Sequence, residues 1–166
     1  MQVPKRKSEQ RKIRSKLDPY LSQLKYQKLT QELKELQKKQ PILASEVKRL
    51  ASDGDFSENA GYQLAKSQLR GLNNKILFVE NQLKHAIIIE NKNSEGKIQI
   101  GSQVVLEKND QETTYTILGS SESNPTEGII SHLSPLGARL IGKKVGDKIT
   151  LNTKDKEQAY TVKQVN

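Results

Sequence analysis

Two apolar ladders of heptad spacing run through this chain, and they mirror each other about Phe56. The first is Tyr26, Leu29, Leu33, Leu36, Gln40, Leu43, Val47 and Leu50; the second is Tyr62, Ala65, Leu69, Leu72, Ile76, Val79, Leu83 and Ala86. Each member of one pairs with a member of the other so that the two residue numbers total 112, from Tyr26 with Ala86 to Leu50 with Tyr62. An apolar 3.5-residue repeat drives a helix to seek a partner along a narrow seam. The mirrored register makes that partner the same chain running antiparallel. The turn then falls within Ser52-Asp53-Gly54-Asp55-Phe56-Ser57-Glu58-Asn59, which holds three carboxylates, with no cation between Arg49 and Lys66. Helix rise gives the arm a reach of about 36 Å from residue 26 to residue 50, and Leu17, Leu21 and Leu24 extend its base. Gln40 is the one polar member, facing Leu72 and setting register. Pro41 removes a helical hydrogen bond, so a bend or frayed turn is expected there.

A hairpin with only a seam to bury needs a second body. After Ala86 the heptads stop, and Ile87-Ile88-Ile89 leads into a polar boundary at Asn91 to Gly96. Turn-bounded β-type runs follow at 97–100, 102–107, 113–118, 128–131, 148–152 and 159–165. One short helix is expected near Pro135 to Ile141, with Pro135 in its first turn and Gly142 as its stop. The reading is an α+β chain: a basic extension over 1–18, a long antiparallel coiled-coil hairpin with an acidic tip over 19–90, and a small antiparallel α+β domain over 91–166.

Charge is divided unevenly between these parts. Residues 1–86 hold 18 Lys and Arg against 9 Asp and Glu, whereas 87–166 hold 10 against 10, so the whole excess of +9 belongs to the extension and the arm together. Lys5, Arg6, Lys7, Arg11, Lys12, Arg14 and Lys16 face only Glu9 in the opening segment. Such a run is either a solvated tail or a contact with nucleic acid or another polyanion, sensitive to salt. An amphipathic targeting peptide ranks third, because the run has few apolar residues to form a membrane face. The chain has no cysteine, which fits a reducing compartment and excludes thiolate metal sites. No apolar run reaches membrane-spanning length and no secretion signal is visible, so a cytoplasmic protein with no membrane partner is expected.

Few motifs carry chemistry. Gly137 to Lys144 approximates a phosphate-binding loop, but Lys144 stands where a magnesium-binding hydroxyl is needed. His85 and His132 are isolated, without the ligand spacing of a zinc site. The tip acids have two readings. Asp55 or Ser57 can cap the second helix, with Glu58 completing a capping box. Alternatively, exposed carboxylates at the end of a long arm are placed to enter another molecule's cavity, where hard oxygen donors suit Mg²⁺.

At these residues the chain resembles the bacterial Gre transcript-cleavage factors and is GreA-like. The resemblance is carried by Gly54-Asp55-Phe56-Ser57-Glu58-Asn59-Ala60-Gly61-Tyr62 with Ala65-Lys66, and by the stretch from Ser134-Pro135-Leu136-Gly137 through Gly142-Lys143-Lys144 to Gly146-Asp147. It implies a C-terminal domain of FKBP-like fold, docked on RNA polymerase at the rim of the secondary channel through Ser134, Pro135, Gly142, Lys143, Gly146 and Asp147. The coiled coil then passes into the channel. Asp55 and Glu58 are implied to hold a Mg²⁺ shared with the polymerase active site, not tightly held by the free protein. Asp53, Gly54, Ser57, Asn59 and Tyr62 support the tip. The implied role is that of an accessory factor, not an enzyme, which stimulates Mg²⁺-dependent cleavage at the RNA 3′ end of a backtracked complex. Departures from the family pattern, with Ala51 for a basic residue, Asp53 for His and Gly61 for Glu, admit a second reading. Gre-like paralogues with extra tip acids occupy the channel and inhibit. A third reading is a general basic nucleic-acid or ribosome binder, and prolyl isomerase activity rests on fold analogy alone.

Overall fold

The computed structural model describes residues 18–52, 60–90, 96–153 and 156–166. Helix α1 (Gln23–Ser52, 30 residues) and helix α2 (Ala60–Lys84, 25 residues) form the arm. They run antiparallel, as the cross-helix pairs require: Glu32 to Lys75 at 2.6 Å, Gln37 to Glu80 at 3.2 Å and Gln40 to Asn73 at 2.8 Å. The seam is the one read from the heptads. Leu29, Leu36, Ile76 and Val79 are buried, and Tyr26, Leu33, Leu72, Leu83 and Ala86 pack against them. The mirror pairs Leu29/Leu83, Leu33/Val79 and Leu36/Ile76 thus lie in a single cluster.

Two details of the arm concern Pro41, which the helix passes as the in-phase seam beyond it requires, and Gln40, which differs from expectation. α1 runs through Pro41 without interruption. Proline deletes one backbone bond, and here its ring sits on the exposed face while the seam continues on both sides of it. Gln40 is exposed and donates to Asn73 rather than lying over Leu72 in the seam.

The base of the arm is not helical. Tyr20–Leu21 forms strand β1, which pairs in parallel with β2 (Ile87–Ile88), Tyr20 opposite Ile87. Pro19 favours extended backbone around it, and its carbonyl accepts from Ile87 N at 2.7 Å while that of Leu21 accepts from Ile89 N at 2.9 Å. Leu21 is fully buried in the seam cluster, whereas Leu24, already helical, is exposed. Leu17 lies outside the described residues.

The second body is a five-stranded sheet of β3 (Gln103–Lys108), β4 (Gln111–Leu118), β5 (Ile129–Ser131), β6 (Lys148–Thr153) and β7 (Lys156–Val165), in the order β5-β4-β3-β7-β6. Alternation places Val104 and Leu106 of β3 inward, and Ile98, Ile117, Ile130, Leu140, Ile149 and Val162 complete the core. Asn109 and Asp110, with φ of 50° and 59°, make the tight turn between β3 and β4. The sheet is mixed rather than wholly antiparallel, because β5 lies parallel to β4. Two 3₁₀ turns, Ser120–Glu122 and Pro125–Glu127, carry the chain back so that it re-enters in the same direction. The expected strand at 97–100 is reduced to an isolated bridge between Lys97 and Lys144. Helix α3 (Pro135–Leu140) covers the core with Leu140. Among the described residues no helix is long and apolar enough to cross a membrane.

Candidate functional site

The segment joining the far ends of α1 and α2 contains Asp53, Gly54, Asp55, Ser57, Glu58 and Asn59, all outside the described residues, as is the capping reading attached to them. The flanks are described. Ser52 Oγ donates to the Arg49 carbonyl at 2.7 Å, and the Arg49 guanidinium pairs with Glu46 at 2.7 Å. That hydrogen bond holds the Glu46 carboxyl below the usual range. On the other helix Ala65 is buried, Tyr62 is half-buried, and the Lys66 ammonium stands 5.5 Å from the Tyr62 ring centroid. Among the described residues no group of three or more His, Asp or Glu side chains could hold a metal ion.

The second motif, Ser134 to Asp147, is a built turn whose polar residues are largely committed to shaping it. Ser134 caps α3, its Oγ accepting from Gly137 N at 3.0 Å, with Pro135 in the first turn. Gly137 crosses so close to β5 that a Cβ would lie 2.1 Å from the Ser131 carbonyl oxygen. Gly142 and Gly146 have φ of 81° and 90°, a region that favours glycine. Gly142 N donates to Ile98 at 2.8 Å and Gly146 N to Val162 at 2.8 Å. The Asp147 carboxylate accepts from Lys144 N at 2.9 Å and closes the turn. The motif presents Ile141 and Val145 to solvent, 39% and 57% exposed, beside Leu133 just before it at 66%, with Lys144 also exposed. Sequence reasoning selected the turn-formers and passed over these apolar residues. Their type within an otherwise polar loop was the available signal. Ile141 also lines, with Tyr20, Ile88 and Ile100, an open cavity of about 330 Å³ where the arm meets the sheet.

A third polar group, not foreseen, lies at that junction. Asp18 Oδ2 accepts from Ser120 N at 2.6 Å and Ser120 Oγ at 2.7 Å, and Oδ1 accepts from Tyr20 N at 3.2 Å. His132 Nδ1 is 3.5 Å from the same carboxylate, and the Tyr20 ring meets the imidazole edge-on at 5.3 Å. Burial pushes the Asp18 carboxyl up, but the bonds from Ser120 and Tyr20 and the nearby His132 outweigh it, leaving the group below its usual value. Glu122 reaches the other way and accepts from Ser22 N at 2.8 Å and Ser22 Oγ at 2.5 Å.

Comparison with known proteins places this architecture. Residues 19–88 match the family model described as "Transcription elongation factor, N-terminal", and residues 93–166 match "Transcription elongation factor, GreA/GreB, C-term". The transcription elongation factor GreA of Macrococcus caseolyticus is 37% identical over 134 residues, covering 79% of this chain and 85% of its own. That of Nitratiruptor sp. is 35% identical over 148 residues, covering 87% and 91%. Among solved structures, the GreA factor homolog 1 (Gfh1) of Thermus thermophilus aligns over 88% of this chain and 97% of its own, at 26% identity and a TM-score of 0.40. A chain matched along both its helical and its sheet parts, and at this identity over most of its length, belongs to the GreA/GreB family of transcription elongation factors.

Proposed function

We infer that this factor binds RNA polymerase with its arm in the secondary channel and stimulates cleavage of backtracked RNA, acting as an accessory factor to the polymerase's own active site. One observation carries the reading: α1 and α2 pair with each other along their length, so the acid-bearing segment between them stands at the end of an arm of roughly 45 Å. An arm of that length serves to place chemistry in a site belonging to a larger body.

Asp55 and Glu58 are the residues assigned to that chemistry. Their carboxylate oxygens fit Mg²⁺, which is commonly held by one or two protein carboxylates with phosphates and water filling the rest. Two such donors leave most of the coordination to the polymerase and RNA, which fits an ion not retained by the free protein. When bound, the ion supplies activation of water and neutralisation of phosphoryl charge. Asp53, Gly54, Ser57, Asn59 and Tyr62 shape the surroundings of the two acids. The sheet domain docks through the Ser134–Asp147 turn, and the basic run in residues 1–18 adds attraction to nucleic acid.

The test is cleavage of halted elongation complexes in Mg²⁺, comparing wild type with Asp55→Asn/Glu58→Gln while polymerase affinity is measured in parallel. Cleavage should fall to the factor-free rate with affinity retained. Wild-type binding without accelerated cleavage would refute the reading. A second reading, occupancy that inhibits, rests on Asp53, an extra acid beside the pair. Under that reading wild type slows elongation, and Asp53→His shifts it toward cleavage.

A further inference from the structure

The N-terminus of α1 is capped in an unusual way. Four backbone N–H groups at a helix start lack internal partners, and the positive end of the dipole favours an anion there. α1 has no acid in its first turn. Ser22 makes the first half of a capping box, its Oγ accepting from Lys25 N at 3.1 Å. The second half calls for Glu or Gln at position 25, reaching back to Ser22 N. Lys25 cannot accept that bond. Glu122, one hundred residues later and in the sheet domain, accepts it instead, together with one from Ser22 Oγ.

The debt runs both ways across the junction. The 3₁₀ turn Ser120–Glu122 follows Gly119, which has no side chain with which to cap it. Its first N–H, Ser120 N, is taken by Asp18 from the arm. Each body therefore supplies the carboxylate that the other's turn lacks. Gly119 lets the two approach: a Cβ there would lie 2.0 Å from the Tyr20 carbonyl oxygen. The exit of α2 is tied to the same place by the β1–β2 pairing.

We propose that Asp18 and Glu122 form a reciprocal clamp that fixes the direction of the arm relative to the sheet domain, and so act as positioning residues for the tip. The lever arm is the reason. Over an arm of about 45 Å a 5° rotation at the root displaces the far end by about 4 Å. A misplacement of about 1 Å can cost on the order of 10²-fold in a reaction that depends on geometry. Docking by the sheet domain alone leaves that angle open; the exchanged carboxylates close it. This rests on the cleavage reading above for its functional arm, and on geometry alone for its structural arm.

The chain has no cysteine, so Lys48→Cys on the arm and Lys148→Cys on β6 accept a spin-label pair without competition. Distances are measured in wild type, Asp18→Ala/Glu122→Ala, and Asp18→Ala/Glu122→Ala/Lys25→Glu, alongside polymerase affinity and the cleavage rate at saturating factor. The double alanine variant should broaden the distance distribution, keep affinity within about threefold and lower the saturated cleavage rate at least tenfold. Lys25→Glu returns a local acid to the start of α1 without linking the two bodies, so the distribution should stay broad and the rate low. A narrow distribution in the double variant, or full recovery with Lys25→Glu, overturns the clamp. Failure of wild type to stimulate cleavage removes the function proposed above, while the distance measurement still decides the clamp.

Discussion

Replacing glycine by alanine at two positions should shift stability in opposite directions. Gly71 lies inside α2, exposed, with nothing within 4 Å of where a methyl group would sit. Alanine there lowers the entropy of the unfolded chain and favours helix, a gain of about 0.5–1 kcal/mol. Gly119 has φ −68° and ψ 159°, a conformation alanine adopts freely. Its unfolded-state term is therefore favourable too, by about 0.4–1 kcal/mol. The methyl, however, would sit 2.0 Å from the Tyr20 carbonyl oxygen and 3.0 Å from its carbon. Carbon–oxygen contacts settle at about 3.3 Å or more, so the backbone must part by roughly 1.3 Å. The obstacle is main chain and cannot swing aside. Overpacking of this kind costs about 1–3 kcal/mol, so with the favourable term of about 0.4–1 kcal/mol set against it the net loss is centred on about 1.3 kcal/mol, within a span of about 0–2.6 kcal/mol. Urea denaturation followed by circular dichroism reads both variants. The Gly71→Ala midpoint should rise and the Gly119→Ala midpoint fall. A Gly119→Ala midpoint equal to or above wild type would refute the close approach of arm and sheet domain from which the clamp is argued.

Truncation of the seam tests the hairpin itself: Ile76→Ala, at a site 6% exposed in the seam cluster, should cost about 2–5 kcal/mol, read as a lowered urea midpoint of the helical signal. A loss below about 1 kcal/mol would mean that the helices are not packed along this register. Acid should weaken the junction in a definite window. Asp18 titrates in the folded protein below its ordinary 3.8, so its contribution is complete above the unfolded value and disappears as pH falls through the folded one. Melting temperature should therefore drop on acidification below about pH 4 more steeply in wild type than in Asp18→Asn, and parallel curves would contradict the assignment.

The arm was legible because its determinants are local and periodic. A 3.5-residue apolar repeat declares a helix and its partner-seeking face, and the mirror numbering adds the antiparallel register, so Leu29, Leu36, Ile76 and Val79 could be named as core in advance. Most strands followed from alternation and turn residues in the same way. The acids of the tip were legible as a composition, and the family motif singled out Asp55 and Glu58 among them. In the Ser134–Asp147 turn the pattern pointed to the residues that build the loop, while the apolar surface there emerged only with Ile141, Val145 and the adjoining Leu133 turned outward.

What the sequence determined by itself is whatever depends on neighbours a few residues apart: two long helices paired on each other, a strand-rich second body, and a net basic charge confined to the first 86 residues. What tertiary structure decided depends on partners far apart in the chain. Leu21 joins a parallel strand pair because Ile88 arrives beside it from sixty-seven residues away, β5 runs parallel to β4 because two 3₁₀ turns bring it round, and α1 begins on a carboxylate from the sheet domain. No local period encodes such meetings, since the free energy that fixes them comes from satisfying polar groups that only the folded chain brings into contact.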